Sequence, residues 1–163
     1  MIRFSCDDDL LRIQALVCEC FGERTKYGVF DNLNGRYLLY FIDDTLVAMT
    51  GLNRNTTYPN GSEIDWTCTK PEYRGSGIMH ILFSKLIQLT DENIYCSCWK
   101  TGDSIHLKSL MKDFGFECIC EGHIKSNNLK CGSSHCFDCV KFSDEEGVCV
   151  CQEDLYLRKA INN

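Results

Sequence analysis

Apolar residues recur along this chain with two different periods, and each change of period marks an element. Ile2 to Ser5 reads as a short first strand. Helical spacing follows, with Leu10, Ile13, Val17 and Cys20 forming one stripe over Asp7 to Phe21. Ser5 is the expected cap of that helix, and Asp8, three residues on, the acid of a near capping box. Gly22 to Gly35 is polar and irregular, with room for a short second helix. Arg36 to Ile42 and Leu46 to Asn53 read as strands joined through Asp43-Asp44. Pro59-Asn60-Gly61 is turn chemistry leading into a strand at Glu63, where Ile64, Trp66 and Cys68 alternate with more polar neighbours. Pro71 stops that strand because it has no N–H for a ladder bond. From Ile78 the helical period returns through Leu82, Leu86 and Leu89. Ile94 to Trp99 is a strand, and Ser104 to Phe114 a helix capped by Gly115. Glu117 to Lys125 and Val148 to Arg158 are the last two strands.

The junction between the strand at Glu63 and the helix at Ile78 is the most informative stretch. Gly75 and Gly77 permit backbone conformations and close approaches that a Cβ would obstruct. A helix that starts in such a bend aims unpaired N–H groups, and the positive end of its dipole, at one point. That geometry suits phosphate.

These residues resemble the acyl-CoA signature of the GNAT superfamily of N-acetyltransferases. The family pattern, Arg/Gln-x-x-Gly-x-Gly/Ala, is met by Arg74, Gly75, Ser76, Gly77, Ile78 and Met79, with Met79 standing where Gly or Ala is usual. Pro71-Glu72-Tyr73 is similar to the family's approach to the motif. Gly115-Phe116, closing the helix from Ser104, resembles its second landmark, although Met111 occupies the position of a tyrosine that in the family commonly protonates the departing thiolate. The order of elements is that of the GNAT fold, so the resemblance covers nearly the whole chain. It implies an α/β fold with a mixed central sheet of about seven strands flanked by helices. Residues 1–163 would be a single acetyltransferase domain, with residues 126–151 a cysteine-rich insertion before the last strand.

The resemblance also implies a chemistry. Acetyl transfer to an amine needs a bound thioester, a polarised carbonyl and removal of a proton from the nucleophile. In the family the strand before the signature turn splays from its neighbour, and its free backbone groups hold the pantetheine arm and acetyl oxygen. The matching positions are Thr67, Cys68 and Thr69. Arg74, Gly75, Ser76, Gly77, Ile78 and Met79 would bind the pyrophosphate. Glu63 and Asp65 are the candidate bases, since they lie on the strand that ends at the thioester and, two apart, share a face. Tyr73, Tyr95 and Tyr156 are unranked candidates for the acid.

Composition narrows the setting. A chain of 163 residues with 44% hydrophobic and 25% charged residues can bury a real core. No apolar run is long enough to span a bilayer. The opening residues turn acidic at once and lack the basic-then-apolar layout of a secretion signal, so a cytoplasmic setting is expected. A net charge of −6 argues against general nucleic-acid binding, which needs a basic surface. The expected partners are therefore acetyl-CoA and an amine acceptor, with neither nucleic acid nor membrane, and a homodimer is left open.

Thirteen cysteines are unusual for such a setting, and the odd count fits complete disulfide pairing badly. Cys136 and Cys139 have the spacing of a zinc-chelating turn, and Cys149 and Cys151, two apart, share one strand face. These four are the expected ligands of a structural zinc, with Cys131 and His135 as spares; unmetallated thiols and a disulfide stay open as alternatives. The leading expectation is an acetyl-CoA-dependent N-acetyltransferase acting on a primary amine. A non-catalytic acyl-CoA-binding regulator and a zinc- or redox-sensing module remain as alternatives.

Overall fold

The computed structural model describes residues 1–22, 33, 36–54, 58, 60–99, 104–123 and 153–160. Seven strands form one sheet: β1 (Ile2–Phe4), β2 (Tyr37–Ile42), β3 (Thr45–Asn53), β4 (Gly61–Thr69), β5 (Asn93–Trp99), β6 (Glu117–His123) and β7 (Glu153–Arg158). Three α-helices accompany them: α1 (Leu10–Phe21), α2 (Ile78–Leu86) and α3 (Ser104–Asp113). The strand order is β1-β2-β3-β4-β5-β7-β6. Every neighbouring pair is antiparallel except β4 with β5, which is parallel.

The core lies on both faces. Along β2, Tyr37, Leu39 and Phe41 join Ile13, Leu16 and Val17 of α1, while Leu38 faces the other way toward α2. Under α2 and α3, Leu82, Phe83, Leu86 and Met111 have no exposed surface and pack with Val47, Ile64 and Ile94. Burying each such side chain stabilises the fold by about 1.5–3 kcal/mol. Helix α3 ends as Gly115 (φ 73°) turns the chain. The Gly115 N–H then donates to the Lys112 carbonyl at 3.1 Å and the Phe116 N–H to that of Met111 at 2.9 Å. This is a Schellman closure, with Phe116 buried beside Met111.

Several expected details move. Ser5 does not cap α1; it is buried, donating to the Leu33 carbonyl and accepting from the Tyr37 N–H at 3.0 Å. The chain instead enters through a 3₁₀ turn at Asp7–Asp9, where the Asp9 carboxylate accepts from the Cys6 N–H at 2.9 Å. The expected face is the buried one: Ile13 and Val17 are buried with Leu16, Cys20 packs half-buried on the same cluster, and only Leu10, the first residue of the helix, is exposed. Helix α2 ends before Leu89, which is partly exposed beyond it. The Asp43-Asp44 hairpin forms as expected, both residues taking positive φ (44° and 63°), as a type I′ turn requires.

The larger difference is in β4. Ile64 and Cys68 do not share a face, because Trp66 sits at φ 39° and the register against β3 slips there: Gly51 pairs with Asp65, but Met49 with Cys68. One extra residue in β4 reverses every later side chain. Ile64 packs under α2 and Cys68 under α1.

Candidate active site

The bulge has a consequence on the other edge of β4. Strands β4 and β5 pair over three rungs, Gly61 with Asn93, Ser62 with Ile94 and Glu63 with Tyr95. Beyond Glu63 they part. β4 continues against β3 as far as Thr69, and β5 continues against β7 as far as Trp99. The sheet therefore opens as a wedge whose apex is the Glu63–Tyr95 rung. Within the wedge, the edge of β4 that carries Thr67, Cys68 and Thr69 has no ladder partner on β5 among the described residues. Unpaired edge amides and carbonyls are ready to bind an extended, amide-bearing chain.

At the open end of β4, Pro71–Tyr73 form a 3₁₀ turn that leads to Arg74 and the glycines. Gly75 (φ 76°) and Gly77 (φ 79°) both occupy the left-handed region, and Gly77 is the N-cap of α2. A Cβ on either would meet nothing within 4 Å, so the bend is open to a ligand. The first helical bond of α2 runs from the Ile81 N–H to the Gly77 carbonyl at 3.2 Å, which leaves the preceding amides without an intrahelical acceptor. The Ser76 hydroxyl donates to the Tyr73 carbonyl at 2.5 Å, and Arg74 Nε to the Thr69 carbonyl at 3.2 Å. Those two bonds tie the bend to β4. Met79 is half-buried with its side chain packed on the core, so its bulk does not fill the bend. The residues present fit a pyrophosphate.

The two carboxylates lie on the α1 side of the sheet in different company. Ser97 Oγ donates to Glu63 Oε1 at 3.5 Å, and Tyr58 Oη lies 3.3 Å from the same serine hydroxyl. Tyr58 stacks on Tyr95 with ring centroids 4.6 Å apart. Asp65 is ion-paired to Arg36 and accepts from Tyr37 Oη at 3.2 Å. Burial, then the charge of Asp65, pushes the Tyr37 hydroxyl well above its ordinary value, so it stays a donor. Thr67 meets the buried Thr50 hydroxyl at 2.8 Å. Arg36, Tyr37, Tyr58 and Ser97 carried no sequence signal, being ordinary residues of strands and a turn.

Met111 is fully buried, and its thioether has no proton to give, so this position does not supply the acid. Of the candidate tyrosines, Tyr95 stands in register with Glu63, Tyr156 pairs with Cys96 further into the sheet, and Tyr73 belongs to the 3₁₀ turn. His80 is exposed and bonded to Asp113 at 3.0 Å, a surface pair. Cys131, His135, Cys136, Cys139, Cys149 and Cys151 lie outside the described residues. Among the described residues no group of three or more His, Cys, Asp or Glu is placed to hold a metal ion. No described helix is long and apolar enough to cross a membrane.

Residues 9–116 match the model of the acetyltransferase (GNAT) family. No curated protein matches the chain. Among solved structures, the ribosomal-protein-S18-alanine N-acetyltransferase from Escherichia coli is 11% identical and superposes with a TM-score of 0.68, over 100% of this chain and 95% of that one. An aminoglycoside 6'-N-acetyltransferase complexed with coenzyme A gives 12% identity and 0.66, over 100% and 98%. A GNAT family acetyltransferase from Bacillus cereus gives 15% and 0.63, over 99% and 98%. At these identities the likeness is one of fold.

Proposed function

The chain belongs to the acetyltransferase (GNAT) family, and from that premise we propose that it moves an acetyl group directly from acetyl-CoA to the primary amine of a small molecule or peptide. The observation that carries the reading is the parting of β4 from β5 immediately after Glu63, at the opposite end of β4 from the glycine bend. One strand thus supports both requirements of the reaction. Its unpaired edge at Thr67, Cys68 and Thr69 is suited to the pantetheine arm and the acetyl oxygen. The bend from Arg74 to Met79 supplies helix-terminal amides and a guanidinium for the pyrophosphate. Glu63, at the apex, takes the proton that the amine must lose. Asp65 is engaged by Arg36 and Tyr37, and its part is to hold the α1 side of the wedge in shape. Transfer is direct: Cys68 is buried with its side chain under α1, away from the wedge edge.

Release of free CoA from acetyl-CoA, followed with a panel of amines, tests this. The wild-type protein is expected to turn over with at least one amine, and Glu63→Gln to be slower by about 10²-fold or more with acetyl-CoA binding kept. Equal rates for the two proteins would remove Glu63 from the reaction. From spacing alone we also assign one structural zinc to Cys136, Cys139, Cys149 and Cys151. Elemental analysis of protein purified under reducing conditions is expected to find about one zinc per chain. Metal-free protein with every thiol titratable would end that assignment.

A further inference from the structure

Strand β5 and the connection between β3 and β4 meet beside Glu63 through two hydroxyls. Ser97 lies two residues beyond Tyr95 on β5 and so projects from the same face of the sheet. Were β4 and β5 to stay paired past the Glu63–Tyr95 rung, Ser97 would stand opposite Asp65. Because they part, its hydroxyl reaches back across the wedge to Glu63 Oε1 at 3.5 Å. Tyr58 Oη completes the row, 3.3 Å from Ser97 Oγ. Stacking fixes that hydroxyl in place, since the Tyr58 ring lies on Tyr95 with centroids 4.6 Å and planes 16° apart. Glu63, Ser97 and Tyr58 are all half-buried, so the row runs from the apex of the wedge toward water. We propose that Ser97 and Tyr58 form a proton relay that carries the amine's proton from Glu63 out to solvent. The inference rests on the acetyl-transfer reading of this site and adds to it the route by which the base is reset.

The direction of the resting chain follows from counting protons. A serine hydroxyl has one proton to donate and two lone pairs to accept with. Ser97 donates its proton to Glu63, so toward Tyr58 it is the acceptor and Tyr58 the donor. Glu63 thus ends a chain of two donors, an arrangement that favours the carboxylate form a base needs. At 3.5 Å the inner bond is long, as bonds at catalytic groups often are before a substrate binds. When the amine nitrogen bonds to the acetyl carbon, an N–H bond breaks and the proton bonds to the Glu63 carboxylate at Oε1. That proton then moves to Ser97 Oγ, the original Ser97 proton to Tyr58 Oη, and the original Tyr58 proton to a water molecule. Each hydroxyl again holds one proton and Glu63 is again a carboxylate, while the chain points the other way until its two O–H bonds rotate back. The sum is one proton from nitrogen to water. Asp65 is differently placed: the guanidinium it pairs with cannot accept a proton, and Tyr37 has no exposed surface.

The test uses the intact protein with acetyl-CoA and the best amine of the panel, each variant being checked for its fold by circular dichroism. Tyr58→Phe keeps the stacked ring and removes only the outer hydroxyl, whereas Ser97→Ala cuts the row at its middle. Each is expected to lower kcat by about 10-fold with the KM for acetyl-CoA kept. A relay fails once wherever it is cut, so the double variant should be no slower than Ser97→Ala alone. Ser97→Thr, which keeps a hydroxyl, should recover most of the rate. A Tyr58→Phe protein with wild-type kcat would overturn the relay, as would losses that multiply in the double variant; either result leaves the acetyl-transfer reading standing, because the wild-type protein still turns over. Failure of the wild-type protein to release CoA with any amine would instead overturn that reading, and the relay with it.

Discussion

Asp65 is held by the Arg36 guanidinium and the Tyr37 hydroxyl, whereas Glu63 accepts from the Ser97 hydroxyl at 3.5 Å. Removing charge from Asp65 leaves a largely buried guanidinium facing a neutral amide, so Asp65→Asn should cost about 1–3 kcal/mol of stability in urea unfolding. Glu63→Gln should change stability by less than about 0.5 kcal/mol. The reverse order would mean that the two roles had been exchanged. A different carboxylate sets the acid sensitivity of the fold. Asp9, 1% exposed, receives both Arg3 guanidinium nitrogens at 2.6 Å as well as the Cys6 N–H. The Arg3 hydrogen bonds outweigh burial and hold its carboxyl far below the ordinary value of 3.8. A lowered value means that the folded protein resists protonation more than the unfolded chain does. The contribution is then complete above about pH 4 and is lost as the pH falls below it. Wild-type stability should therefore drop below about pH 4 more steeply than that of Asp9→Asn, the two curves converging in acid. Parallel curves would exclude Asp9 as the source.

At the scale of elements, what could be read from residue patterns was what depends on local chemistry. Asp43-Asp44, the glycine closure of α3 and the left-handed Gly77 before α2 all appear where the residues called for them, since each is a short-range backbone requirement. The β4 bulge was illegible. Ile64, Trp66 and Cys68 alternate perfectly, and only pairing with β3 reveals the extra residue at Trp66 that sends Cys68 to the other face. Leu10 is the one member of the expected α1 stripe that lies exposed; it is the first residue of the helix, next to the 3₁₀ turn. The paired foot of the wedge is equally tight. A Cβ at Gly61 would lie 2.5 Å from the Asn93 carbonyl oxygen and 2.8 Å from the Tyr95 ring. Gly61→Ala should push β4 from β5 at the apex, costing about 1–3 kcal/mol in unfolding experiments. A neutral result would show that the three-rung contact has slack, and the position of Glu63 would then need another support.

Across the whole molecule, the periodicities specified strands without their neighbours. That β7 enters between β5 and β6, and that β4 and β5 run parallel, are long-range facts that no residue pattern carries; the resemblance to a family implied only a mixed sheet of about seven strands. Of the candidate site, the glycine bend was legible because positive φ has a residue signature. The surroundings that separate Glu63 from Asp65 were not, because Arg36, Tyr37 and Ser97 reach them from other strands. On the function proposed, one strand carries a thioester-binding edge and leads into a phosphate-binding bend. The decisive experiment is a calorimetric titration of acetyl-CoA into the wild-type protein and Gly77→Asp. Asp is a good N-cap residue and among the side chains that best tolerate the left-handed region, and no neighbouring atom lies within 4 Å of its Cβ, so the fold should survive. Its charge, however, would stand where the pyrophosphate is held. Binding by the wild-type protein and its loss in a folded Gly77→Asp is the expected result; equal affinity in the two would contradict the assignment.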